Sequence, residues 1–140
     1  MRPRIADDTG SAIVEFVVLG IGLLVPLVFA VQSVMALHAA ALATGHSVRE
    51  AARAFGSSAT VTEGRHRADV AARLAFADHG LDLPPGTMRI ACADGPCLSP
   101  GSAVVVTLQW DVPLPWLGWA VPVAAEQRVP IDDYRGDAQP

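Results

Sequence analysis

Residues 16–31 read FVVLGIGLLVPLVFAV, and the apolar character continues through Val34, Met35, Ala36 and Leu37. No charged residue falls within residues 16–37; Gln32 and Ser33 are the polar interruption. A helix needs about 20 mostly apolar residues to cross the hydrocarbon core of a bilayer. Such a run cannot be wrapped on all sides by a small domain, so burial in a soluble core is the weaker reading. Pro26, Gly20 and Gly22 lie inside the run. That proline would cost about 3 kcal/mol in a soluble helix, whereas both residue types are more frequent in membrane helices. The run therefore predicts a single-pass membrane anchor with the rest of the chain on one side.

Arg2 and Arg4 precede the run and favour a cytoplasmic N-terminus, against the opposing vote of Arg49 and Arg53 beyond it. The competing reading is a cleaved secretory signal, with Arg2 and Arg4 as its basic region and Ala41, Leu42 and Ala43 as an A-x-A site. The length of the run and the acidic Glu15 at its start oppose it. Composition follows from the anchor. The chain is 51% hydrophobic and 17% charged, against about 25% charged in a soluble domain. Setting the run and its flank aside leaves about 85 residues for a fold, a small core of marginal stability. The net charge is −4 with no basic run, so nothing recommends nucleic acid as a partner.

The residues ahead of the run carry the sharpest signal. Residues 10–16 read GSAIVEF. A cut after Gly10 would make Ser11 the first residue and Glu15 the fifth, one helical turn from a new α-amino cation. A carboxylate drawn into apolar surroundings needs such a partner. This segment resembles the class III signal of type IV pilin-like proteins, and specifically that of TadE-like pseudopilins of tight-adherence (Flp) pilus systems. HSVREAARA at residues 46–54 is similar to the REAAR stretch that follows the span in that family, and VPIDDYR at residues 129–135 looks like the tail of its actinobacterial members. Asp7 and Asp8 dilute the usual basic pre-sequence, and residues 55–100 match only in general layout.

The resemblance implies a prepilin peptidase that cuts between Gly10 and Ser11 on the cytoplasmic face and leaves the helix attached. It implies Glu15, with Phe16 opening the helix, as the assembly site. The partners it implies are that peptidase, other pilins and pseudopilins, the inner-membrane pilus assembly platform and the lipid bilayer. The function it implies is that of a minor pseudopilin in pilus assembly or initiation, serving secretion or cell adhesion, because bulk pilins are shorter and TadG-like proteins longer. The alternative is a signal-anchored or secreted extracytoplasmic binding module unrelated to pili.

The expected fold is α+β: a long N-terminal helix, a second shorter helix and a small three-stranded antiparallel sheet. The expected organisation is a leader at 1–10, the span and its extension at 11–56, an extracytoplasmic domain at 57–132 and a flexible tail at 133–140. Val48, Ala52 and Phe55 share a helical face, with Arg49, Glu50 and Arg53 turned away and Gly45 a point of bending. Gly56, Ser57 and Ser58 stop that helix. A second helix is expected over 62–79, with Val70, Leu74 and Ala77 as its apolar line and Gly80 as its stop. Residues 83–86 (LPPG) mark a turn, and strands follow at 87–92, 103–112 and 121–129. Pro122 and Pro130 suit an edge position for the last. For Trp110, Trp116 and Trp119 the preferred reading is core and lid packing, the alternative contact with lipid headgroups or a partner.

Cys92 and Cys97 bracket Ala-Asp-Gly-Pro, a turn sequence short enough for the sulfurs to meet. Outside the cytoplasm a disulfide is the natural state; two buried free thiols are the alternative. A metal site is disfavoured, since two cysteines need two further ligands and no histidine is near in sequence. His38, His46, His66 and His79 share no motif, and no phosphate loop, nucleophile elbow or HExxH occurs. No cofactor and no enzymatic role are expected.

Overall fold

The structure, a computed structural model, describes residues 9–114 and 118–134, with side chains from Ala12 onward. The element order is α1 (Thr9–Gly56), α2 (Val61–Ala77), β1 (Met88–Ala93), β2 (Ala103–Leu114) and β3 (Trp119–Pro130), the α+β class expected. The chain divides into two compact units, Met1–Met35 and Ala36–Pro140. The first unit holds the apolar stretch of α1, whose large side chains between Ile13 and Met35 are exposed. By length and apolarity this helix is able to cross a membrane or to serve as a signal anchor.

In the second unit α1 presents a stripe of small residues. Ala40, Ala43, Thr44, Ser47, Val48, Ala51, Ala52 and Phe55 recur at three- and four-residue spacing, and all are buried. Small side chains let neighbouring backbones approach, and the buried face of α2 answers in kind with Gly64, Ala68, Ala72, Ala75 and Phe76. A Cβ added at Gly64 would lie 3.1 Å from the Phe55 ring, so the glycine is the seat of that ring. The Ser47 hydroxyl donates to the Ala72 carbonyl at 3.2 Å and ties the two helices.

These contacts correct the expected face of α2. Val70 and Leu74 are 52% and 64% exposed, and Ala77 is exposed too. Side-chain bulk pointed to the 70/74/77 line, whereas close approach to α1 selects the line of glycine and alanine. The start of α2 also moves, from Thr62 to Val61. The Thr60 side chain caps the helix by accepting from the Glu63 N–H at 3.2 Å, while the Glu63 carboxylate reaches back past the cap to accept from the Ala59 N–H at 3.3 Å. The helix ends at Ala77 rather than His79. The Leu81 N–H bonds to the Phe76 carbonyl and the Gly80 N–H to the Ala77 carbonyl, a Schellman closure with Gly80 at φ 70°. On its solvent face Arg73 donates to Asp69 at 2.8 Å, and that hydrogen bond and the carboxylate charge raise the arginine's pKa. α1 is helical throughout Thr9–Gly56, Gly45 included, and ends where the Gly-Ser-Ser sequence begins.

The three strands form an antiparallel meander in the order β1-β2-β3. β2 alternates by residue: Val104, Val106, Leu108, Val112 and Leu114 are buried, while Gln109, Asp111 and Pro113 are exposed. That is the pattern of a sheet packed on one face and wet on the other. β3 is an edge strand, which accommodates Pro122 and Pro130. Observed strands start one residue later (β1) or extend further (β2, β3) than the sequence pattern suggests, because hairpin pairing carries Leu114 opposite Trp119.

Candidate functional site

The predicted site residues fall into two groups. Gly10 and Ser11 lie in the first turns of α1, as helical backbone. Glu15 follows one turn later and is exposed; Phe16 is 77% exposed. Among the described residues Glu15 has no ion pair. A Cβ added at Gly20 or Gly22 would meet nothing within 4 Å among the described residues. Arg2, Arg4, Asp7 and Asp8, the charges of the expected leader, lie outside the described residues, as do Trp116 and Arg135.

The second group is the loop joining β1 to β2. Cys92 and Cys97 are paired, with Cα atoms 5.2 Å apart, and Cys92 is exposed, so two buried free thiols are not what the loop holds. Three further features hold the loop. Leu98 is buried to 1% exposure although its φ is 64°, a left-handed conformation that costs an L-residue about 1–2 kcal/mol. Asp94, at the same φ, pairs with Arg128 of β3. The Ser102 hydroxyl donates to the Ser99 carbonyl at 2.7 Å. Sequence reasoning overlooked Leu98; the signal was an isolated leucine in an otherwise small and polar loop.

The structure separates the tryptophans. Trp110 packs edge-on against Phe76, with ring centroids 5.5 Å apart, and its Nε1 donates to the buried Thr44 Oγ1 at 2.9 Å. Thr44 in turn donates to the Ala40 carbonyl at 2.7 Å. Trp110 is thus half-buried and packed against the core, the reading preferred for it. Trp119 is 63% exposed and is not. Two histidines with no common motif also meet: the rings of His46 and His79 stand 5.9 Å apart at 87°, and His46 Nε2 lies 3.8 Å from Glu50 Oε1. Among the described residues no group of three metal-ligating side chains forms. An open depression of about 490 Å³ on the wet face of the sheet is lined by Arg89, Thr107, Gln109, Trp110 and Asp111, with Gly86 and Thr87. Its side chains can offer hydrogen bonds and one charge of each sign, but no nucleophile beside a base.

No family model matches the chain, and neither a curated protein nor a solved structure does. The geometry at the start of α1 and the paired loop are therefore what a functional reading must rest on.

Proposed function

We propose that the chain is a minor pseudopilin of a tight-adherence (Flp) pilus, taking part in its assembly or initiation. One observation carries the reading: Gly10, Ser11 and Glu15 stand at the head of an apolar run whose large side chains are exposed among the described residues. Lipid covers that helix before assembly and neighbouring pilin helices cover it afterwards. The N-terminus faces the cytoplasm, where a prepilin peptidase cuts after Gly10, and the α+β domain lies outside. The protein acts through its partners rather than by catalysis.

The competing signal-peptide reading puts a cut after Ala43. Ala40 and Ala43 are buried to 1% and 0% exposure, and the Ala40 carbonyl accepts from Thr44. Such a cut would open the packed stripe of α1, which favours an anchor that stays attached.

Glu15 is the residue through which assembly is tested. At a membrane boundary its carboxylate reaches headgroups and water, and even at a bilayer centre an acidic residue costs only about 2.5–3.5 kcal/mol on insertion scales. Between packed helices it loses that water, and an unpaired buried charge then costs several kcal/mol. The Ser11 α-amino group, released by cleavage in the same chain or a neighbour, supplies the cation. Glu15→Gln should therefore be inserted and cleaved normally, yet fail to support pili. Fractionation together with a pilus count tests this. Normal pili from a cleaved, membrane-bound variant, or failure of the variant to insert, would each refute the role.

A further inference from the structure

We infer that the free edge of β3, beside Arg49 and Arg53 of α1, is a docking site for an extended acidic segment of a partner protein, which adds a strand to the three-stranded sheet. The residues concerned all lie in the unit Ala36–Pro140, and the inference does not rest on the pseudopilin reading.

β3 ends the strand order, so among the described residues no strand lies along its outer side. Two hydrogen bonds fix which backbone groups point there. The Gln109 N–H donates to the Thr87 carbonyl at 3.1 Å, and the Ile131 N–H to the Ser102 carbonyl at 2.8 Å. Hydrogen-bonded pairs alternate along an antiparallel ladder, so odd-numbered residues of β2 turn to β1 and even-numbered ones to β3. The register partners of the even ones, Val123, Ala125, Gln127 and Val129, turn back to β2. Ala124, Glu126 and Arg128 are left with their N–H and C=O groups aimed outward. Pro122 and Pro130 occupy the outward positions that bound this stretch and have no N–H to offer. The open edge is thus a short window between two prolines, and an edge of this kind is a template for a further strand.

The side chains beside the window set its preference. Val104, Val106 and Leu108 of β2 are buried in the core, whereas the β3 residues opposite them, Val129, Gln127 and Ala125, are only half-buried. An open groove of about 170 Å³ lies there between Arg49, Arg53, Gln127 and Val129. It continues past Arg53 and Val129 into a depression of about 410 Å³ lined by Gly56 and Ile131, and by Asp132. Arg49 is exposed and, among the described residues, makes no ion pair. Arg53 lies 3.4 Å from Glu50 Oε1, but its side chain is 74% exposed, and such a pair contributes little. The two arginines stand one helical turn apart, about 6 Å of rise, and alternate side chains of a strand stand about 6.8 Å apart. A strand with carboxylates two residues apart therefore meets both. In the wider depression the Asp132 carboxylate, which accepts from the Tyr134 N–H at 3.0 Å, disfavours a third acid. Gly56, Val129 and Ile131 suit an apolar side chain there. The segment recognised carries acid, acid and apolar residues at alternate positions.

The test uses the full chain in detergent micelles and a fluorescein-labelled octapeptide that alternates glutamate with threonine and ends in valine, read by fluorescence polarisation. The peptide should bind, and a version with lysine in place of glutamate should not. Arg49→Gln should weaken binding about tenfold, as loss of a charge-assisted hydrogen bond, and Arg49→Lys should weaken it less. Two further peptides carry methyl groups on alternate backbone nitrogens, one on each set. One should bind and the other should not, since a single set of N–H groups faces β3; this comparison needs no variant of the protein. The inference falls if the glutamate peptide does not bind, or if Arg49→Gln binds it as tightly as wild type. It falls if the two methylated peptides behave alike, because backbone pairing is then not what holds the peptide. Displacement by inorganic phosphate or phosphatidylglycerol at the free peptide's own concentration would show a site for anions at large, and would overturn it equally.

Discussion

Single residues carry most of what can be tested at once. Gly10 precedes the proposed cut, where a peptidase site requires a small, flexible residue, while insertion depends on the apolar run alone. Gly10→Leu should insert normally and remain uncleaved, seen as an unshifted band in the membrane fraction; normal processing would remove the cleavage assignment. Thr44 has a different role. It accepts from Trp110 and donates to Ala40 inside the core. Thr44→Val keeps the shape but leaves the indole N–H without its acceptor, a penalty of about 1–3 kcal/mol. Denaturant unfolding should show that loss, and an unchanged midpoint would mean that the bond contributes nothing. Neither Thr44 nor Leu98 was legible beforehand. A threonine within an alanine-rich helix and a leucine within a turn acquire their roles only from partners distant in sequence. Glu63, by contrast, stands three residues after Thr60, and that capping-box spacing was open to reading.

At the scale of elements, legibility followed the source of each signal. The apolar run and the β-branched stretch of β2 report their own conformation, and both elements lie where the pattern indicates. The buried face of α2 does not, because it is chosen by the helix it meets. Gly64, Ala68 and Ala72 win that face by letting α1 come close, and Val70 and Leu74 are left outside. The loop between β1 and β2 was legible in its cysteines and not in its remaining anchors. Its disulfide closes a short loop, so its contribution lies near the lower end of about 2–4 kcal/mol. Protein taken from the native envelope and denatured without reductant should resist thiol labelling at both Cys92 and Cys97. Full labelling would count against both the bond and a location outside the cytoplasm. Reduction should lower stability by about 2 kcal/mol without unfolding the domain, because Leu98 and the Asp94 to Arg128 pair still hold the loop.

At the scale of the whole molecule, one helix belongs to two surroundings. Its first stretch is apolar, with its large side chains exposed among the described residues, and its second supplies the buried stripe of a small α+β domain. On the proposed reading the chain stays attached to a bilayer for as long as α1 is intact, and leaves it when neighbouring pilin helices replace the lipid. Maturation by a cut ahead of the helix, rather than after it, is what distinguishes a pilin-type subunit from an exported domain. The direct measurement is the intact mass and N-terminal sequence of the protein recovered from its native envelope. The account predicts a chain that begins at Ser11, with a free or methylated amino group, and retains the whole apolar run. A chain that begins near Thr44, or one that keeps its residues from Met1, would contradict it.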